Sequence, residues 1–355
     1  MGATGSVGQR FILLLADHPE LELVTVGASH RSAGKPYEEA VDWKQTTPLP
    51  ERFSRIIVSE CKAEEFSHCD VVFSGLDSDY AGTIEKEFVE AGINVISNAK
   101  NYRRAPDVPL VVPTVNGSHL DVFHHKRSAE SGSSPKRGLH VCISNCATVN
   151  LVVPMKALQD KFGPISTVVV TTLQAVSGAG FSPGVPSIDI LDNLIPYIGG
   201  EEDKLEWEPR KILGEVDSSD KVSFNIIAED QMRISASCNR VAVTDGHTAC
   251  VAVKFANGAP SLEQFKEALS SYTSEARKLN CHSAPSKDIE VLEQPNRPQP
   301  RLDRDRGNGY AVSVGRIRPD PVLDYKFVSL SHNTVLGAAG SGILIAELLL
   351  AKKLI

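Results

Sequence analysis

The chain has 355 residues, 41% of them hydrophobic and 23% charged, the balance of an ordinary globular protein long enough for two domains or for one with an insertion. Its net charge of -7 argues against a nucleic-acid binder, whose footprint is basic. No apolar run reaches the length of a membrane span, and the start lacks the charged and apolar regions of a signal peptide. Seven cysteines at irregular spacing, with no C-x-x-C pair, argue against a zinc site or disulfide framework. They fit a reduced, cytoplasmic compartment. No metal site is expected.

The first stretch, "MGATGSVGQR", places Gly2, Gly5 and Gly8 in a G-x-x-G-x-x-G loop with Thr4, Ser6 and Val7 between them. Such glycines allow a tight turn and close backbone approach to a pyrophosphate at the positive end of a helix. "QRFILLLADH" reads as that helix. A loop of this kind normally follows a buried strand, yet only Met1 precedes it. Four apolar residues of such a strand would contribute roughly 6–12 kcal/mol, comparable with the stability of a whole domain. The expectation is therefore that the first strand is missing and that an apolar segment belongs upstream.

"LELVTVGAS" reads as the next strand. It ends in "GASHRSAGK", with Ser29, Arg31 and Ser32 and no acid. A ribose diol calls for Asp or Glu at this point, whereas Arg and hydroxyls suit a 2′-phosphate, so the cofactor reading is NADP. "RIIVS", "DVVFSGL", "INVISNA", "PLVVPTVN" and "LHVCISN" are short apolar runs bounded by turn residues, and "AGTIEKEFVEAG" is a helix. Strands alternating with helices imply a doubly wound, Rossmann-like α/β domain with a mostly parallel sheet. Residues 124–138, polar and rich in Ser and Gly, read as a surface loop.

From Cys146 the pattern changes to an α+β domain. "ATVNLVVPMKALQDKF" is helical. "STVVVTTLQAVS", "YAVSVGRIRP" and "YKFVSLSHNTV" are strands, and "SFNIIAEDQMRISASCNRVAV" and "HTACVAVKFA" contain further strands. "SLEQFKEALSSYTSEARKL" is an amphipathic helix, and "GAAGSGILIAELLLAKKLI" is a closing helix that packs back on the first domain. The division is 1–145 plus 333–355 for NADP binding and 146–332 for catalysis and dimerisation.

"SNCATVN" sets Cys146 at a strand-to-helix junction, where helix amides lower a thiol pKa and bind an oxyanion. "NRVAVTDGH" supplies Arg240, able to clamp a carboxylate with two parallel hydrogen bonds. Seven positions on is His247, able to move a proton. The two are expected on one strand-turn-strand unit facing one pocket. A lone cysteine or histidine is more often a core residue; the combination raises the functional reading.

Together with "GATGSVGQRF", "SHRSAGK", "NYRRAPDVPLVVPTVN", "TTLQAVSGAG", "IPYIGGEEDKLEWEPRKILG" and "HNTVLGAAGSG", these segments resemble the aspartate-semialdehyde dehydrogenase family of fungi and archaea over nearly the whole chain. The resemblance implies that Cys146 is the nucleophile that forms a thioester and His247 the acid/base. It makes Asn145 and Gln174 substrate-positioning residues and Arg240 the clamp on the α-carboxylate. Glu201 and Lys204 would hold the substrate amine and the phosphate, Arg103 the phosphate, with Arg104 as an alternative register. Gly178 and Asn333 would lie near the nicotinamide. The implied reaction is reversible, NADPH-dependent reduction of L-aspartyl 4-phosphate to L-aspartate 4-semialdehyde with release of phosphate, in the route to threonine, methionine and isoleucine. A homodimer or homotetramer is implied, and no nucleic-acid or membrane partner. The rivals are a malonyl-CoA reductase, an N-acetylglutamyl-phosphate reductase, whose cysteine usually sits in a "GCYPT"-like context, and an inactive truncated paralogue. Ala242 stands where many relatives carry proline.

Overall fold

A computed structural model describes residues 1–129 and 137–355. The glycine loop runs straight into helix α1 (Ser6–Leu15), which buries Phe11, Ile12 and Leu15 on one face. Strands β1 (Gly27–Ala28), β2 (Ser59–Glu60) and β3 (Val72–Ser74) follow, then helix α2 (Ser78–Glu90) and strands β4 (Val95–Ser97) and β5 (Leu110–Val111). Helix α3 (Val122–Ala129) occupies part of the stretch expected as a surface loop; residues 130–136 of that stretch lie outside the described residues. Strand β6 (His140–Ile143) ends this half. The order β3-β4-β6-β5 is parallel throughout. β4 and β6 are buried at every position, as a sheet covered by helices on both faces requires.

β1 and β2 form a separate parallel pair. Among the described residues no strand lies between β1 and β3. Residues 1–3 fill a single rung there: the Ala3 N–H donates to Gly27 O at 2.9 Å and the Gly75 N–H to Met1 O at 3.0 Å, while Met1 N donates to Phe73 O at 2.6 Å. Beyond that rung β1 and β3 face each other across a cavity of about 490 Å³, lined by Ile12, Leu15, Leu23, Val24, Val26 and Phe73. This accounts for the short β1. "LELVTVGAS" has the side-chain pattern of a strand, but residues 21–26 have no ladder partner on the cavity side, and a strand is defined by its neighbour as much as by its sequence.

The second half begins with helix α4 (Cys146–Phe162), buried on all sides over most of its length. Strand β7 (Ile165–Gln174), helix α5 (Glu201–Ile212), the short pair β8 (Glu215–Val216) and β9 (Phe224–Asn225), and strands β10 (Arg233–Arg240) and β11 (His247–Phe255) follow. Helix α6 (Leu262–Ser270), closed by a Ser261/Gln264 capping box, precedes β12 (Ile289–Leu292), β13 (Val312–Pro319) and β14 (Tyr325–Ser331). The last helix, α7 (Gly340–Ala351), is apolar nearly all round because it is enclosed, packing against α1 and β4.

The six-stranded sheet has the order β10-β7-β11-β14-β13-β12. The strand-turn-strand unit expected for Arg240 and His247 is therefore not formed. β7 lies between β10 and β11, parallel to the first and antiparallel to the second. The outcome still serves the site. Arg240 pairs in register with Gln174, and Thr248 pairs with Leu173, so Gln174, Arg240 and His247 meet at one end of the sheet.

Candidate active site

Cys146 opens helix α4, and its neighbour Asn145 is the N-cap. The Asn145 Oδ1 accepts from the Ala147 N–H at 2.8 Å, satisfying one of the free amides of the first turn. The Asn145 amide nitrogen donates to both carboxylate oxygens of Glu201, at 3.0 and 2.9 Å. The turn that presents the thiol is thus fixed from two sides. Gly337 has to be a glycine here, since a Cβ on it would lie 2.9 Å from the Cys146 Cβ.

The Cys146 Sγ lies 3.1 Å from His247 Nε2. The other ring nitrogen, Nδ1, accepts from the Ala175 backbone N–H at 3.0 Å. A nitrogen that accepts from an amide carries no proton, so the neutral ring holds its proton on Nε2, facing the sulfur. Asn150, one turn into α4, donates to the His247 carbonyl at 3.0 Å and fixes its backbone. Burial, and next the Arg240 charge, hold the imidazole down to a pKa of about 3.

The thiol corrects an expectation. Burial, then the Glu201 carboxylate, push Cys146 up to about 12, although Arg240, Arg103 and Lys204 pull the other way. The helix amides do not overcome that desolvation. Burial thus favours the neutral form of both members of the cysteine-histidine pair in the free site.

Cations and carboxylates surround this pair. Arg240 is buried and donates to Ala175 O at 2.8 Å; burial lowers its pKa, but a guanidinium stays charged. Gly178 leaves room for it, since a Cβ there would lie 2.9 Å from Arg240 Nη1 and 3.1 Å from His247 Cε1. Gln174 is buried and approaches Glu201 at 3.4 Å. Lys204 pairs with Glu201 at 2.6 Å across one turn of α5. Arg103 points inward and Arg104 outward, where its guanidinium stacks over the Trp207 ring at 4.8 Å. Of the two arginines, Arg103 lines the catalytic cavity and Arg104 does not. Burial works against the Arg103 charge, and Glu208 at 2.8 Å more than restores it.

A cavity of about 430 Å³ joins these groups to the glycine loop: Ser6, Val7, Arg103, Asn145, Cys146, Gln174, Gly178, Glu201, Lys204, Arg240 and Asn333 all line it. Asn333 uses both ends of its amide on the protein, accepting from the Gly246 N–H and donating to Ser177 Oγ, each at 2.8 Å. It therefore holds the 177–178 turn in place. The loop itself fits a dinucleotide phosphate. Gly2 has φ +72°, and a Cβ on Gly8 would sit 2.3 Å from Gly2 O, so neither tolerates a side chain. A Cβ on Gly5 would make only an ordinary 3.5 Å contact, which leaves close approach of a ligand as the reason for glycine there. No side chain caps α1 and its first turn has no acid, so its amides are available to an anion. Ser29 and Arg31 lie exposed and Ser32 half-buried, on a turn after β1. They do not line the catalytic cavity.

Sequence reasoning missed Lys100, which lines the cavity, and Glu208, which lies behind it. The signal for Glu208 was present: residues 201, 204, 208 and 211 are all charged, a 3-4-3 spacing that marks one helical face.

Comparison with known proteins agrees with this geometry. The families described as "Semialdehyde dehydrogenase, NAD binding domain" and "Semialdehyde dehydrogenase, dimerisation domain" match residues 1–123 and 155–336. The chain is 63% identical to the aspartate-semialdehyde dehydrogenase of Saccharomyces cerevisiae and 62% identical to that of Candida albicans, over 100% of this chain and 98% of each relative. A crystal structure of the Candida albicans enzyme with NADP superposes with a TM-score of 0.95 at 60% identity, covering 100% of this chain and 98% of that one. With the cysteine-histidine pair, the cationic cavity and the glycine loop in one place, the chain belongs to the aspartate-semialdehyde dehydrogenase family, NADP-dependent enzymes of amino-acid biosynthesis.

Proposed function

We propose that Cys146 carries the family's reaction, the reduction of L-aspartyl 4-phosphate to L-aspartate 4-semialdehyde, through a thioester. The observation that carries this reading is the Sγ to Nε2 approach of 3.1 Å at the floor of a cavity lined by Arg103, Lys204 and Arg240. Three cations around one thiol suit a substrate with an α-carboxylate and a phosphate. Arg240 binds the carboxylate. Arg103 and Lys204 face the phosphate, and Glu201 receives the substrate amine. Asn145 and Gln174 orient the carbon under attack.

The first step forms the C–S bond and breaks the C–O bond to the phosphoryl group. The sulfur's proton ends on the departing phosphate, so no separate base is needed. The oxygen that becomes negative at the tetrahedral stage accepts from His247 Nε2–H, a neutral donor of the kind that stabilises an oxyanion without ionising. NADP(H), held by the amides at Gly5, Ser6 and Val7 with Gly178 and Asn333 near the nicotinamide and Ser29, Arg31 and Ser32 at the 2′-phosphate, supplies the hydride. Collapse of the tetrahedral adduct then breaks the C–S bond, frees the aldehyde and releases a thiolate, which takes up one proton from solvent to restore the thiol. Splitting one substitution in two is what the cysteine contributes.

Support for a homodimer or homotetramer comes from the match to a dimerisation domain and from exposed apolar side chains in the second half, Val169, Ile188, Leu191 and Tyr197. Among the described residues no helix is long and apolar enough to cross a membrane. Seven unpaired cysteines support a reduced compartment such as the cytoplasm. The fold also supports the division into 1–145 plus 333–355 and 146–332, since α7 packs against α1 and β4.

The test is to mix the chain with L-aspartate 4-semialdehyde and NADP while withholding phosphate. A thioester adduct on Cys146, seen by mass spectrometry and discharged by added phosphate, is the expected result. An adduct at another residue, or none while NADPH forms, refutes the role of Cys146.

A further inference from the structure

Helix α5 turns a stripe of four charged side chains toward the first half of the molecule. Glu201 and Lys204, in its first turns, face the catalytic cavity. Glu208 lies two turns deeper and is 2% exposed. Its carboxylate is fully engaged. Oε1 accepts from Arg103 Nη1 at 2.8 Å. Oε2 accepts from the Asn145 backbone N–H at 2.7 Å and from Thr148 Oγ1 at 3.0 Å. Each of these donors belongs to a different part of the site: the inward arginine, the turn that presents Cys146, and the first turn of α4. One turn further on, Lys211 donates to the carbonyls of Arg103, Ala105 and Val108 at 2.9, 2.7 and 2.8 Å. The same helix thus grips Arg103 by its guanidinium and by its backbone.

The guanidinium keeps donors in reserve. Of its five N–H groups, one goes to Glu208 and one to Asn98 O at 3.0 Å, and Nε has no partner in the protein among the described residues. Each terminal nitrogen therefore keeps one N–H, and the side chain lines the catalytic cavity, so the guanidinium is set to receive an anion at a fixed distance from its anchor.

We propose that Glu208 is a positioning residue: it ties Arg103 and the Asn145–Cys146 turn to one carboxylate, and so fixes where the phosphate sits relative to the sulfur. This rests on the reading that Arg103 faces the phosphate. A carboxylate suits the task because it accepts from several donors at once with short, charge-assisted bonds. Glutamine keeps the shape but turns an NH₂ toward a donor, so one of the three bonds must fail. Aspartate keeps the charge but is a methylene short.

The experiment measures the phosphate-dependent reduction of NADP by L-aspartate 4-semialdehyde in wild type, Glu208→Gln, Glu208→Asp, Arg103→Ala and the double variant Arg103→Ala with Glu208→Gln. The expected result is a KM for inorganic phosphate raised tenfold or more in Glu208→Gln, a smaller rise in Glu208→Asp, and a KM for NADP within twofold of wild type. In the Arg103→Ala background, Glu208→Gln adds little to the phosphate KM. A merely structural carboxylate would lower the melting temperature and leave the phosphate KM of the folded enzyme unchanged. That outcome in either Glu208 variant overturns the proposal, as does full additivity with Arg103→Ala. If Glu208→Gln does not fold, Glu208→Asp decides alone. An unchanged phosphate KM in Arg103→Ala refutes the phosphate reading itself; a large change there with silent Glu208 variants refutes only the positioning role.

Discussion

The two sheets of this molecule supply the two ends of one site, and they are built differently. In the six-stranded sheet, β7, β10 and β11 run for 8 to 10 residues and bring Gln174, Arg240 and His247 to one edge. Their polar groups, like those of α4 and α5, are tied to one another: Asn145 to Glu201, Thr148 to Glu208, Asn150 to the His247 backbone. In the parallel half the strands have 2 to 4 residues, and β1 is parted from β3 by the cavity of about 490 Å³. The entry to the glycine loop hangs there on the single rung at residues 1–3. The covalent chemistry is therefore held by elements that do not depend on the gap, while the cofactor end leans on it.

That contrast can be broken in order of expected effect. Cys146→Ala removes the proposed nucleophile and should lower turnover by at least about a thousandfold, with NADPH binding by fluorescence unchanged. Loss of NADPH binding as well would mean that the two ends are not separable. Next, five alternating Val and Ile residues added before Met1 should fill the cavity between β1 and β3. Each buried side chain contributes roughly 1.5–3 kcal/mol, so the melting temperature should rise by several degrees and NADPH should bind more tightly, with kcat little changed. An unaltered melting temperature would show that this cavity does not accept a strand.

Arg240→Ala should mainly raise the KM for L-aspartate 4-semialdehyde, by roughly ten- to a hundredfold for the loss of charge-assisted hydrogen bonds worth about 1.5–3 kcal/mol. An unchanged KM would remove the clamp. The smallest effect is on pH. His119 and His247 are held neutral by burial, with pKa values of about 4 and about 3. The unfolded chain binds their protons near pH 6.5 and the folded chain does not, so stability is lost as pH falls below that value. Between pH 7 and 6 the loss is roughly 0.7 kcal/mol per histidine, measurable by urea unfolding, and His247→Gln should reduce it. A neutral His247 also predicts no step near pH 6.5 in the rate that disappears in His247→Gln. Such a step would restore a proton-shuttling histidine.

Much of this was legible in the sequence, and the rest fails for identifiable reasons. The glycine loop, Cys146 at the head of α4 and the long strands of the second half follow from spacing and hydrophobic pattern, which are local. The placement of β7 between β10 and β11 is not local, so Arg240 and His247 could be assigned to one pocket but not to the right connection. β1 is shorter than its apolar run because a strand needs a partner on each side that is to be laddered. The state of the Cys146 thiol depends on burial, which a position in a motif does not reveal. Glu208 was readable as one more charge on the stripe of α5, yet its meaning depends on three donors from distant parts of the chain.

The most direct measurement is the reduction of NADP by L-aspartate 4-semialdehyde in the presence and absence of phosphate, using residues 1–355 and the Cys146→Ala variant side by side. The account predicts NADPH formation that requires phosphate for turnover, in the first protein and not in the second. A folded chain that binds NADP and forms no NADPH, or a Cys146→Ala variant that forms it equally well, contradicts it.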